Sequence, residues 1–173
     1  MYLEFLLLIS DYLKTITKRI FIFEWLLPLA FSIAIFCLLY CGKSEGITTS
    51  FKDNSINLLG ILVGFSITII TILTTGQSKN LEEIKNTFTK TKINNKPISL
   101  YRLLLINFTY SVVIEIFLII TFLTYPFFKL NIDISNTTKL TVLSFLIFMI
   151  IHILLLSIRN LTDFYLILVN PTK

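Results

Sequence analysis

Residues 57–76 read NLLGILVGFSITIITILTTG, twenty positions without one charged side chain. A helix rising about 1.5 Å per residue carries such a stretch about 30 Å, the thickness of a bilayer's hydrocarbon core. The apolar part, Asn57–Thr75, has three counterparts of similar length: Ile20–Tyr40, Leu103–Thr124 and Leu140–Ile158. One run of this kind fits a buried core helix, but four within 173 residues leave no polar shell for a soluble domain. Charged residues make up only 14% of the chain, against about 25% in soluble domains. The expected fold is therefore an all-α membrane protein with four transmembrane helices. No second folded domain is expected, because the longest connection, Gly76–Arg102, has 27 residues. The chain divides into a leader at 1–19 and a four-helix transmembrane domain at 20–173.

Within the opening stretch, Gly60 and Gly64 lie four apart, with Thr68 one turn further on. Small residues on one stripe let a neighbouring backbone approach closely, which drives packing where lipid offers no hydrophobic gain. Gly60, Gly64 and Thr68 are thus expected to make this the central packing helix. The neighbour belongs either to the same chain, the favoured reading, or to another copy.

The basic residues set the orientation. Lys14, Lys18 and Arg19 precede the first span, and Lys79, Lys85, Lys90, Lys92, Lys96 and Arg102 occupy the second connection. Arg159 and Lys173 follow the fourth span, while Lys43, Lys52, Lys129 and Lys139 fall on the opposite side. Alternate segments share a side, so the division is 11 against 4. Cytoplasmic segments carry the excess, so both termini and the 76–102 connection are expected inside, in a bacterial inner membrane.

In the leader, Tyr2, Phe5/Leu6, Ile9, Tyr12/Leu13, Ile16 and Ile20 recur at helical spacing, opposite Glu4, Asp11, Lys14 and Lys18. The pattern predicts an amphipathic helix, lying on the inner leaflet or packed against protein. Its basic residues follow the apolar stretch instead of preceding it, so no signal-peptide cleavage is expected. Trp25 suits the inner interface, and Pro28, one turn in, is expected to bend the first span. Cys37 and Cys41 lie four apart on one helix, where disulfide geometry is hard to meet, and are read as buried small apolar residues.

Three connections complete the outline. Gly42–Ile56, with Gly42 and Gly46, reads as an outer loop. Gly76–Arg102 reads as a short helix started by Asn80 with Glu83 three residues on, then a basic loop ending at Lys96-Pro97. The segment after the third span carries Tyr125, Phe127 and Phe128, suited to headgroups, and Asn136-Thr137-Thr138 matches a glycosylation acceptor. Past Arg159 the fourth span is expected to continue as an amphipathic helix until Pro171. The two halves of the chain show no repeat, which counts against an inverted-repeat transporter.

Polar residues inside the spans are the candidates for chemistry. Glu115 lies near the middle of span three, where an ionised carboxylate costs about 2.5–3.5 kcal/mol, so it should be neutral, paired or facing water. It is read as a pore-lining or titrating group, or else as a structural acid bonded to Ser32, Ser66 or a backbone carbonyl. Glu115→Gln is expected to preserve assembly and abolish activity. Counting about 1.5 Å per residue from the inner boundary puts Glu24, Asn107 and His152 in one layer, roughly 7–11 Å deep. Glu115, Ser32 and Ser66 form a second layer, roughly 15–20 Å deep. The expected pair is Glu24–His152, joined by Asn107, in preference to Glu115–His152. Thr71 is a further neutral polar position.

Motifs for catalysis are absent: no GxSxG, no P-loop, no HExxH, and a single histidine that leaves no metal set. No enzyme activity, cofactor or metal is expected. The 76–102 connection carries 6 basic and 2 acidic residues, net +4. Lys79, Lys85, Lys90, Lys92 and Lys96 are read as contacts for anionic lipid or for a cytosolic partner with an acidic face. With Phe88 as the sole aromatic in that loop core and no module, nucleic acid is not expected.

The stretch LLGILVGFSITIITILTT at Leu58–Thr75, followed by GQSKNLEEIK, resembles small bacterial four-span membrane proteins, some encoded beside antiphage genes. The nearest is the membrane subunit of the two-protein Kiwa defence system. That resemblance implies a homo-oligomer, a tetramer or dimer, that holds a cytosolic effector at the membrane, and it transfers no catalytic residue. The resulting expectation is a non-enzymatic oligomeric scaffold or sensor coupling an envelope event to a cytosolic partner in antiphage defence. The alternative is an oligomeric ion channel with Glu115 lining the pore and His152 giving pH sensitivity. A proton-coupled small transporter ranks third.

Overall fold

The computed structural model describes residues 2–42, 47–131 and 135–169. Gly46, Pro171 and Lys173 lie outside them, as does Lys43. Four helices are long and apolar enough to cross a membrane, as the apolar runs predict. The fold is accordingly that of an all-α membrane protein, with one small hairpin added.

The leader forms α1, Tyr2–Thr15. The first span, Lys18–Cys41, is one rod built from α2 (Lys18–Phe21), a π-helical turn (Ile22–Leu26) and α3 (Leu27–Cys41). The Thr17 hydroxyl caps its start, accepting from the Ile20 N–H at 3.4 Å. The wider turn falls directly before Pro28, whose ring removes the N–H that would bond the carbonyl four residues back. The second span belongs to α4, Ile47–Thr75, which begins inside the stretch expected to be an outer loop. The third and fourth belong to α6 (Leu100–Asn131) and α7 (Asn136–Val169). Tyr125 is therefore helical, as are positions 127 and 128, whose side chains lie outside the described ones. Asn136-Thr137-Thr138 forms the first turn of α7, which continues past Arg159 as expected.

Packing runs in the order α4–α6–α7–α3, with α3 and α4 sharing at most a marginal contact. This leaves α4 at an edge. Its inward residues, Ser55, Leu59, Ser66, Ile69 and Leu73, recur at three-, four- and seven-residue steps. Gly60, Gly64 and Thr68 lie roughly 100–180° round the helix from Leu59, at about 100° per residue. A Cβ on either glycine would meet nothing within 4 Å, and Thr68 is exposed. The favoured reading of an intrachain packing stripe is thus corrected: the stripe faces outward. Cys37 and Cys41 are free and exposed instead of buried, because the inward face of α3 is taken by Pro28 and Ser32.

At the opposite end from the short α4 start, the 76–102 connection folds. Gly76 ends α4, and a Cβ there would lie 2.6 Å from the Ile72 carbonyl oxygen. Helix α5, Lys79–Asn86, follows, capped by Ser78 and not by Asn80: its hydroxyl accepts from Leu81 N–H at 3.3 Å. Leu81 and Ile84 are buried against Leu73, Leu104, Phe108 and Phe164. What was expected as a basic loop is an antiparallel hairpin, β1 (Phe88–Ile93) with β2 (Lys96–Ser99). Ile93 pairs with Lys96 across Asn94 and Asn95, both at positive φ (52° and 62°), the geometry of a type I′ turn. Ile93 and Ile98 turn inward, and α1 packs against both α6 and β1. The leader is a helix packed on protein, with Leu6, Leu7 and Leu13 left facing out.

Candidate functional site

The polar residues gather where α1 meets the π-helical turn of the first span. Pro28 deprives the Glu24 carbonyl of its helical donor. His152 supplies one instead: its Nδ1 lies 2.6 Å from that oxygen. A carbonyl only accepts, so Nδ1 carries the proton and Nε2 is left to accept from the Tyr110 hydroxyl at 3.4 Å. Trp25 and Phe148 lean on the imidazole, with ring centroids 4.8 Å and 6.2 Å away. The expected Glu24–His152 pair therefore forms, but through the backbone of Glu24 and not its carboxylate.

The carboxylate is used twice elsewhere. Glu24 Oε2 accepts from the Tyr12 hydroxyl at 2.9 Å, and Oε1 lies 2.7 Å from Arg159 Nη1. Tyr12 also stacks on Tyr110, centroids 3.6 Å apart and rings within 6° of parallel. Burial, and then the negative charge of Glu24, push the Tyr12 phenol well above its ordinary range, so it remains a donor. Four elements meet here: α1 gives Tyr12, the π-helical turn gives Glu24, α6 gives Tyr110, and α7 gives His152 and Arg159. Tyr12, Tyr110 and Arg159 were not among the expected site residues. The signal for Arg159 in the sequence is its place seven residues on from His152, on the same helical face.

The second layer is not one cluster. Glu115, fully buried, accepts from Ser111 Oγ at 2.6 Å within its own helix, not from Ser32 or Ser66. Ser32 donates instead to the Ser144 carbonyl at 2.6 Å, joining α3 to α7. Ser66 is buried on α4, and Thr71 faces out, bonded to the Ile67 carbonyl. Asn107 is buried too, but among the described residues its Oδ1 has no partner, and it does not join Glu24 and His152. Glu115 Oε2, both side-chain polar atoms of Asn160, and Nε and Nη2 of Arg159 are likewise unpartnered.

Both nitrogens of His152 are engaged, one by a backbone carbonyl. Among the described residues, no three His, Cys, Asp or Glu side chains come together as a metal set. On the same end of the molecule, Lys79, Lys85, Lys90, Lys92 and Lys96 are all exposed, Lys85 resting over the Tyr101 ring at 5.4 Å. Arg102 reaches the leader, 3.6 Å from Asp11. The fold and this polar clasp define a four-span membrane protein with a folded extramembrane face at one end. Comparison of the chain with protein-family models, curated proteins and solved structures gave no match.

Proposed function

We propose that the protein is a non-enzymatic membrane scaffold, working as a homo-oligomer, that offers a rigid basic face to a cytosolic partner. One observation carries the reading. The 76–102 connection is a capped helix seated on α6 and α7 and a hairpin seated on α1, with its five lysines exposed. A slack loop would serve to orient the spans equally well; a folded one spends sequence on shape. The basic excess assigns that face, and both termini with it, to the cytoplasm of a bacterial inner membrane. The outward Gly60–Gly64–Thr68 stripe on the edge helix supplies a face for association between copies, as a tetramer or dimer. Tyr12, Glu24 and Arg159 tie the leader to the spans, so a disturbance of the envelope that shifts a span also shifts the platform. Antiphage defence is the setting that the resemblance of Leu58–Lys85 supplies.

The test is purification from native membranes under mild conditions, followed by identification of what accompanies the protein. The control replaces Lys79, Lys85, Lys90, Lys92 and Lys96 with Gln. A soluble protein retained by the native platform and lost from the variant supports the reading. Recovery of the protein alone in both cases sinks it and turns attention to conductance.

A further inference from the structure

Where the leader meets the first span, a groove of about 590 Å3 opens outward. Leu13 and Ile16 of the leader line one side, Phe21, Ile22 and Trp25 of the span the other, and Lys18 lies among them. Leu13, Phe21 and Ile22 are each about half exposed, so the apolar wall has no cover from the described residues of the chain. Lys18 has no acidic side chain within ion-pair distance among the described residues, since Asp11 faces Lys14 and Arg102 and Glu24 faces Arg159. An unpaired cation therefore stands at the membrane end of an apolar slot.

We propose that this groove seats an anionic phospholipid, one acyl chain against Leu13, Ile16 and Ile22 and the headgroup phosphate on Lys18. Each half of the argument narrows the occupant. An apolar trough at the end of a spanning helix lies at the depth of the upper acyl chain, and a basic residue beside such a trough selects an anionic head. A zwitterionic lipid brings its own cation to the same place and gains less from Lys18. The seat is half leader and half span, so the bound lipid bridges the two across the bend at Thr17.

Trp25 is the only tryptophan of the chain and lines the groove, so its fluorescence reports the occupant. The full chain is placed in vesicles of brominated phosphatidylglycerol mixed with plain phosphatidylcholine, and in the reverse mixture. Bromine quenching gives the relative affinity of the two lipids at Trp25. The expected preference for phosphatidylglycerol is about fivefold, the factor one lysine near an anionic surface supplies. Lys18→Gln should bring it below about twofold on that scale. Arg19→Gln removes the same charge one residue away without lining the groove, and should leave the preference in place. Equal quenching by both lipids in the native chain overturns the proposal. So does a preference that survives Lys18→Gln, or one lost equally in Arg19→Gln, which would assign it to diffuse surface charge. An unchanged Trp25 emission maximum in each variant establishes that the groove is intact.

Discussion

Glu24 Oε1 lies 2.7 Å from Arg159 Nη1, a contact between the π-helical turn of the first span and the C-terminal half of α7. The carboxylate is almost wholly buried and the guanidinium mostly so. Removing one member leaves the other charged and enclosed, at a cost of about 3–5 kcal/mol, whereas removing both costs much less. Arg159→Leu should lower the thermal midpoint of the solubilised protein sharply. Glu24→Gln combined with Arg159→Leu should recover most of the loss. Additive losses would mean that the pair contributes nothing as a pair.

Among the described residues, Glu115 depends on Ser111 for its one side-chain hydrogen bond. An amide accepts that bond as a carboxylate does, so Glu115→Gln should unfold within about 1 kcal/mol of the native chain. Ser111→Ala leaves a buried acceptor unmet and should cost about 1–3 kcal/mol. Denaturant titration of both variants compares them directly.

The outward stripe separates folding from association. Gly60→Ala and Gly64→Ala meet nothing in the protomer and should leave its melting unchanged or slightly raised, since Ala favours helix by about 1 kcal/mol. Gly64→Leu should shift cross-linked species toward the single chain. Undiminished cross-linking would place the association face elsewhere.

The hairpin turn has both central residues at positive φ. Asn95→Gly removes a steric cost there and should slow backbone exchange of Ile93 and Lys96, whereas Asn94→Val should speed it, a β-branched residue being strained in that region. Hydrogen exchange with fragment resolution reads both.

Tyr12 supplies a pH dependence of definite sign. Its ordinary value is 10.0, and in the fold it lies well above that. Above about pH 10 the unfolded chain gives up this proton while the folded one keeps it. Stability from this group is thus complete below that pH and falls as pH rises beyond it. Tyr12→Phe should flatten the alkaline limb, at the expense of the bond to Glu24; a limb of unchanged slope would assign the loss to other groups.

The spans were legible because four long apolar runs of helical length in one short chain have few other solutions. The layer holding Glu24 and His152 was legible too, because depth follows from counting residues. Which atoms meet was not: Pro28 decides that, by releasing the Glu24 carbonyl, and the carboxylate goes to partners far along the chain. The hairpin was hidden because FTKTKI has only Phe88 and Ile93 as apolar residues, too few to show alternation, and Asn94-Asn95 was the one cue to a tight turn. The Gly60 stripe was legible as a packing face but not as an outward one, since a face has meaning only once its neighbours are placed.

The Glu24–Arg159 contact also orders events during synthesis. Residue 159 follows residue 24 by 135 positions, and ribosomes add about 5–20 residues per second. The acid is therefore made roughly 7–27 s before its cation. Over that interval the nascent chain carries an unmatched carboxylate at the edge of its first span. Arrival of the fourth span closes the clasp, so burial of that charge waits on the span that carries Arg159.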